Sequence, residues 1–200
     1  MKNYALLSLL VAAIFSSCTL TVNVDFQKDM SGKYNMKLDM AQIMAMGGDT
    51  TEADLGEDDL DQLKISLEST PGISGVSTSF DPAGYFEITY NFDGISSLNT
   101  ALKSDSEGTN PGLMSLAMKG KKLTIDMTPG DELKNDDSGS MEGMGDMFTM
   151  NFNMKFDRPV KSVKSSIGVF NKEENTIAFS LTLSDLADSK KNWKTQVTFK

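Results

Sequence analysis

The chain has 200 residues, of which 39% are hydrophobic and 24% charged, with a net charge of −9 and a pI near 4.5. This is one domain's worth of chain with enough apolar material for a core, and its acidity excludes a phosphate-binding, nucleic-acid-type face. It holds no His and one Cys, which excludes Ser-His-Asp and Cys-His catalysis, His- or thiolate-bound zinc, and an intrachain disulfide.

The chain opens MKNYALLSLLVAAIFSSC. Lys2 supplies a short positive region, and Tyr4 to Phe15 is a mostly apolar run. That run is too short for a stable bilayer span but has the size and flanks of a secretory signal. Phe15-Ser16-Ser17-Cys18 resembles the bacterial lipobox, with Phe15 standing where Leu is usual. Small residues let a membrane peptidase close on the backbone, and the thiol is the nucleophile that takes the diacylglyceryl group. Residues 1–17 are therefore expected to be a lipoprotein signal peptide, and the mature chain to begin at a lipidated, acylated Cys18. Thr19, rather than Asp, follows the cysteine, and Thr19 to Val24 has no acidic tract. By the sorting rule of bacterial lipoproteins this directs the protein to the outer membrane, facing the periplasm.

Leu20, Val22, Val24 and Phe26 alternate with polar residues, which predicts a half-buried strand. Lys28 to Gly32 breaks it, and Tyr34, Met36, Leu38 and Met40 alternate again, which predicts a first hairpin. A Met-rich stretch to Met46 reads as a short helix. Asp49 to Asp61 carries seven acids and no base. Leu60, Leu63 and Leu67 then recur at helical spacing, with acids at the helix start where the dipole favours them. Val76 to Phe80, the turn Asp81 to Gly84, and the alternation Phe86, Ile88, Tyr90, Phe92 predict a second hairpin. Asp93 is placed to cap a helix carrying Ile95, Leu98 and Leu102. Leu113 to Ala117 and Leu123, Ile125, Met127 flank Lys119 to Lys122, a third hairpin. Asp131 to Asp146 carries six acids and one base and reads as loop. Phe148, Met150, Phe152, Met154 and Phe156 form the longest clean alternation. Strands at 167–170, 177–183 and 193–199 complete the set, with Asn171 to Asn175 as a turn.

These elements predict an α+β domain over residues 18–200: an antiparallel β-sheet built from hairpins, with two or three helices packed on one face and flexible acidic loops near 47–58 and 129–146.

Three pieces carry a family resemblance. Phe26 to Gly32 and the block from Pro71-Gly72-Ile73 to Phe92, followed by Ser97-Leu98-Asn99, resemble uncharacterised lipoproteins of Bacteroidetes bacteria. Phe156 to Leu186, FDRPVKSVKSSIGVFNKEENTIAFSLTLSDL, resembles the mycobacterial LppM-type lipoprotein domain. The LppM resemblance implies an α+β envelope domain suspected of binding lipid or glycolipid, and it supplies no functional residues.

The remaining candidate chemistry is thin. Met141, Met144, Met147 and Met150 recur every third residue, and thioethers suit Cu(I), but the chain is Met-rich throughout. The acids from Glu52 to Asp61 lack a calcium-loop pattern, because Gly56 precedes most of the cluster. Ser162 in SVKS sits in a strand-rich region and reads as alternation, and Trp193 and Tyr90 read as core anchors. No catalytic, metal or cofactor residue is expected, and Cys18 is the one assigned site. The expectation is a non-enzymatic envelope lipoprotein held to the membrane through Cys18 and binding a lipid, glycan or protein partner. The alternative is a structural or assembly factor of an envelope complex. A deep apolar pocket between helices and sheet would favour lipid binding; a filled core with a flat apolar outer patch would favour partner assembly.

Overall fold

The computed structural model describes residues 18–41, 57–81, 83–104, 114–127, 148–171, 173–182, 185 and 193–200. Among them the strands are β1 (Cys18–Phe26), β2 (Gly32–Asp39), β3 (Ile73–Asp81), β4 (Tyr85–Phe92), β5 (Ser115–Lys119), β6 (Lys122–Asp126), β7 (Phe148–Phe156), β8 (Val160–Lys164), β9 (Gly168–Asn171), β10 (Thr176–Thr182) and β11 (Lys194–Phe199). The helices are α1 (Glu57–Ser69) and α2 (Ile95–Ser104). The strands form a seven-stranded sheet, ordered β3-β4-β2-β1-β7-β10-β9, and a four-stranded sheet, ordered β5-β6-β11-β8.

This corrects the expected α+β architecture. The fold is dominated by strands, it has two sheets, and the larger sheet is mixed, because β1 and β7 run parallel from Cys18↔Phe148 to Phe26↔Phe156. The physical reason is that period-two alternation fixes which face a residue takes and says nothing of which strand lies beside it or in which direction. The helices do not blanket one face. α1 packs on β3, and α2 on β5 and the β3–β4 side. The smaller sheet joins the same core, with Phe199 of β11 against Phe156 of β7.

The local readings fare better. All three expected hairpins form, as β1–β2, β3–β4 and β5–β6. In the first turn Gln27 N–H donates to the Ser31 carbonyl at 2.7 Å, and Met30 takes a positive φ of 70°. Gly32 then starts β2 where only a bare Cα fits: an added Cβ would lie 1.9 Å from the Asp25 carbonyl oxygen. Asp93 sits one residue ahead of its expected cap position. Its carboxylate accepts the Ser97 hydroxyl and lies against Gly72, whose φ is +81°. β8, unmarked in the sequence beyond SVKS, pairs with β11.

Even-numbered β1 and β7 residues face the core. Val22, Val24, Phe26, Met150, Phe152, Met154 and Phe156 are all buried, and one cluster joins them to both helices and the small sheet. Trp193 and Tyr90 belong to that core, as expected. Four rings run through its centre. Phe26 stacks on Phe156 at 5.2 Å and meets Phe92 edge-on at 5.6 Å, and Phe156 meets Phe199 of β11 edge-on at 5.5 Å. Arg158 caps the chain, its guanidinium 5.0 Å over the Phe199 ring. One polar link also crosses between sheets: buried Thr195 of β11 and Ser165 share a 2.6 Å hydroxyl pair, and Ser165 accepts the Gly168 N–H at the start of β9.

Candidate functional site

With even residues inward, the odd residues of β1 and β7 form the outer face of the large sheet. Its ends carry ordinary charges, such as Asp25, Lys33 and Lys155. The neighbouring Thr21 row carries the Lys37–Glu87 ion pair at 3.5 Å, and one row beside it carries no charge. Successive pairings place Ser77, Thr89, Asn35, Asn23, Asn153, Ala178 and Val169 in one row that crosses all seven strands without a charge. At about 4.8 Å per strand this row is about 29 Å long.

Side-chain amides are bonded along it. Asn153 donates to Asn23 at 3.1 Å, Asn23 to Asn35 at 3.3 Å, and Asn35 to Thr89 at 2.9 Å. Asn35 also donates to Glu87 at 2.5 Å. One row nearer the start of β1, Ser180 donates to Asn151 at 2.9 Å. These bonds fix the amide orientations. An Asn carries two donors and an acceptor oxygen with two lone pairs, so Asn153 keeps one N–H and its carbonyl for a ligand.

Over the β1–β7–β10–β9 part of this face lies an open concavity of about 510 Å³, lined by Thr21, Asn151, Asn153, Ile167, Val169, Ala178, Phe179 and Ser180. Its floor offers amides and hydroxyls; its β9 side offers aliphatic carbon. Val169 is 74% exposed, the most exposed large apolar side chain described. No lining residue is ionisable. Neutral hydrogen-bonding groups beside an apolar wall suit a ligand with many hydroxyls and an apolar C–H face.

Sequence reasoning had not assigned this surface. The available signal was the repeated use of Asn and Thr, rather than Lys or Glu, at the wet positions of strands.

Cys18, the assigned site, is the first residue of β1, and its side chain is buried on the core-facing side. Burial, with a smaller contribution from the Asp39 carboxylate, pushes its thiol up to about 11. Because the thiolate is the reactive form, a folded unlipidated chain should alkylate with iodoacetamide at pH 8 about 100-fold slower than the urea-unfolded chain, with the rate climbing as pH rises toward 11. Equal rates would show an open thiol. Cys18 lies on the same strand as the concavity but on the opposite face, so the two are separate features.

Met141, Met144 and Met147 lie outside the described residues, as do residues 52–56 of the acid tract, while Glu57 to Asp61 form the first turn of α1. Met150, the fourth of the spaced methionines, is buried core in β7. Ser162 is an exposed residue of β8. Among the described residues no group of three or more His, Cys, Asp or Glu side chains could hold a metal ion, and no helix is long and apolar enough to cross a membrane.

No protein-family model matches the chain, and no curated protein matches it in sequence. A solved structure does match. The NMR structure of the folded domain of Mycobacterium tuberculosis LppM superposes with a TM-score of 0.51 at 13% identity, covering 92% of this chain and 91% of that one. The chain therefore has an LppM-like fold, as the 156–186 resemblance implied. The comparisons give no support to the Bacteroidetes resemblance drawn from 26–32 and 71–99.

Proposed function

We propose that this chain is a non-enzymatic, lipid-anchored protein of the cell envelope, tethered through Cys18, whose outer sheet face binds a neutral polyhydroxylated ligand, an oligosaccharide. The observation that carries the ligand class is the uncharged row from Ser77 to Val169 with the concavity over it. A single sugar would leave most of a 29 Å row unused, about six strand spacings in length, so an extended chain fits better. Lipid held inside the core is disfavoured by the packing there, where Leu123, Ile125, Met154, Ile177 and Val197 are fully buried. The lipobox-like Phe15 to Cys18 and the LppM-like fold support the envelope assignment, with the outer membrane facing the periplasm as the finer reading from Thr19. The lack of His, and a cysteine whose thiol is buried, support the non-enzymatic reading.

The test is calorimetry with neutral gluco-, manno- and galacto-oligosaccharides. Asn153→Ala removes one amide from the face, and a lost ligand hydrogen bond is expected to weaken binding about tenfold with little change in melting temperature. An absence of binding to every neutral oligosaccharide, or binding that ignores Asn153, would refute the ligand class.

A second reading, an assembly factor of an envelope complex, is favoured by one observation. β9 ends the large sheet, with Val169 exposed at that edge, and a sheet edge can accept a partner's strand. Under that reading Asn153→Ala is silent and Val169→Lys breaks the complex.

A further inference from the structure

Among the described residues the large exposed apolar side chains are Ile65, Phe80, Tyr85 and Val169. Two of these four share one place. Tyr85, 50% exposed, begins β4, and Phe80, 39% exposed, stands near the end of β3, so they flank the Asp81–Gly84 turn. The registers show which end of the sheet this is. Thr19 pairs with Asp39, Asp39 with Tyr85, and Tyr85 with Asp81. One row further in, Leu20 pairs with Leu38, Leu38 with Phe86, and Phe86 with Phe80. The two aromatics therefore stand level with the first residues of β1. They lie about 10 and 14 Å to the side of β1, at about 4.8 Å per strand. The Met40 N–H donates to the Gly84 carbonyl at 2.8 Å, which ties the hairpin tip to the end of β2.

Cys18 is itself the first residue of β1, the central strand of the large sheet, so on the anchored reading the tether meets the middle of this end. In the sequence the apolar run Tyr4 to Phe15 stands two residues ahead of Cys18. On the anchored reading, by a lipid on Cys18 or by that run, the bilayer lies at the end of the sheet where β1 begins.

We infer that this end of the sheet is a membrane-contact rim, in which Phe80 and Tyr85 insert at headgroup level beside the anchor and hold β1 upright on the bilayer. Tyr is suited to that depth, with an apolar ring and a polar tip. Asp39 and Asp81 stand in the same row, so the rim fits a zwitterionic surface and is repelled by an anionic one. An upright β1 would carry Thr21 and Asn23 about 7 and 13 Å above the row of Thr19 and Tyr85.

The inference rests on the anchored reading, and its test is arranged to fail separately from it. The chain from residue 18 onward, carrying Cys18→Ser, is tethered by an N-terminal histidine tag to phosphatidylcholine vesicles containing a nickel-chelating lipid. No natural lipid is then needed. A fluorophore is attached through Ala83→Cys at the hairpin tip or, as the far-end control, through Asp29→Cys. Brominated phosphatidylcholine should quench the Ala83 label several-fold more than the Asp29 label. Adding Phe80→Ser and Tyr85→Ser should abolish that difference, as should replacing half the lipid with phosphatidylglycerol. Both aromatics are partly exposed, and circular dichroism of the double variant verifies its fold. Equal quenching at the two positions, or quenching at Ala83 that survives the double substitution, overturns the rim. The mass of natively expressed protein reports independently on whether Cys18 carries lipid.

Discussion

Phe156→Ala is expected to remove a large share of the folding free energy. The ring is 2% exposed, stacks on Phe26 at 5.2 Å and meets Phe199 at 5.5 Å, so it is where β1, β7 and the small sheet meet. Truncating a buried Phe costs about 3–5 kcal/mol, and the two ring pairs add about 0.5–1.5 kcal/mol each beyond area. Against a typical total of about 5–15 kcal/mol, that leaves a chain near or below its folding threshold at 37 °C. On the same strand, Asn151→Ala loses only a bond to Ser180 on the wet face and should cost about 1 kcal/mol. Urea melts of the two variants measure the contrast. Similar midpoints would mean that β7 does not join the two sheets as described.

That contrast was legible in the sequence, because Phe148 to Phe156 alternates without error and a pleated strand must divide such a run between two faces. The hairpins were legible for a related reason. Asp81-Pro82-Ala83-Gly84 and Lys119-Gly120-Lys121-Lys122 place turn residues between two alternating runs, and neighbours in sequence then become neighbours in space. The β1–β7 pairing had no such signal. Val22 and Phe152 are brought together by the packing of the whole inner face, and an isolated alternating strand would accept a neighbour in either direction. The same gap hid the second sheet, whose β8 and β11 are separated in the chain by two strands of the first.

The candidate site was hidden more deeply. Asn23, Asn35 and Asn153 each look like routine wet-face residues in their own strands. Their common row exists only once β2, β1 and β7 are placed side by side in one register, and a slip of one residue would turn them into the core. Cys18 is the opposite case. Its significance rests on the local string Phe15-Ser16-Ser17-Cys18, while the fold adds the position of that residue at the start of the central strand of the large sheet.

Cys18→Ser is expected to abolish lipid attachment. The thiol is the only sulfhydryl in the chain, and a hydroxyl cannot take its place as nucleophile in thioether formation. The variant should accumulate as precursor with its Tyr4 to Phe15 run attached, or as mis-processed protein, and should take up no radioactive palmitate. Each buried methylene contributes about 0.8 kcal/mol to membrane affinity, so loss of the acyl chains should also move correctly cleaved product into the soluble fraction. The fold adds a constraint on timing. In the folded chain the thiol is buried and its pKa is pushed up to about 11, so it is almost wholly protonated at neutral pH and poorly nucleophilic. On the anchored reading, lipid transfer to this buried thiol is therefore expected to precede closure of β1 between β2 and β7. A purified chain that has already folded without lipid should be a poor substrate for the transferase, and brief unfolding should restore it. Undiminished palmitate labelling of Cys18→Ser would refute the lipid anchor, and efficient lipidation of the prefolded chain would refute the order of events.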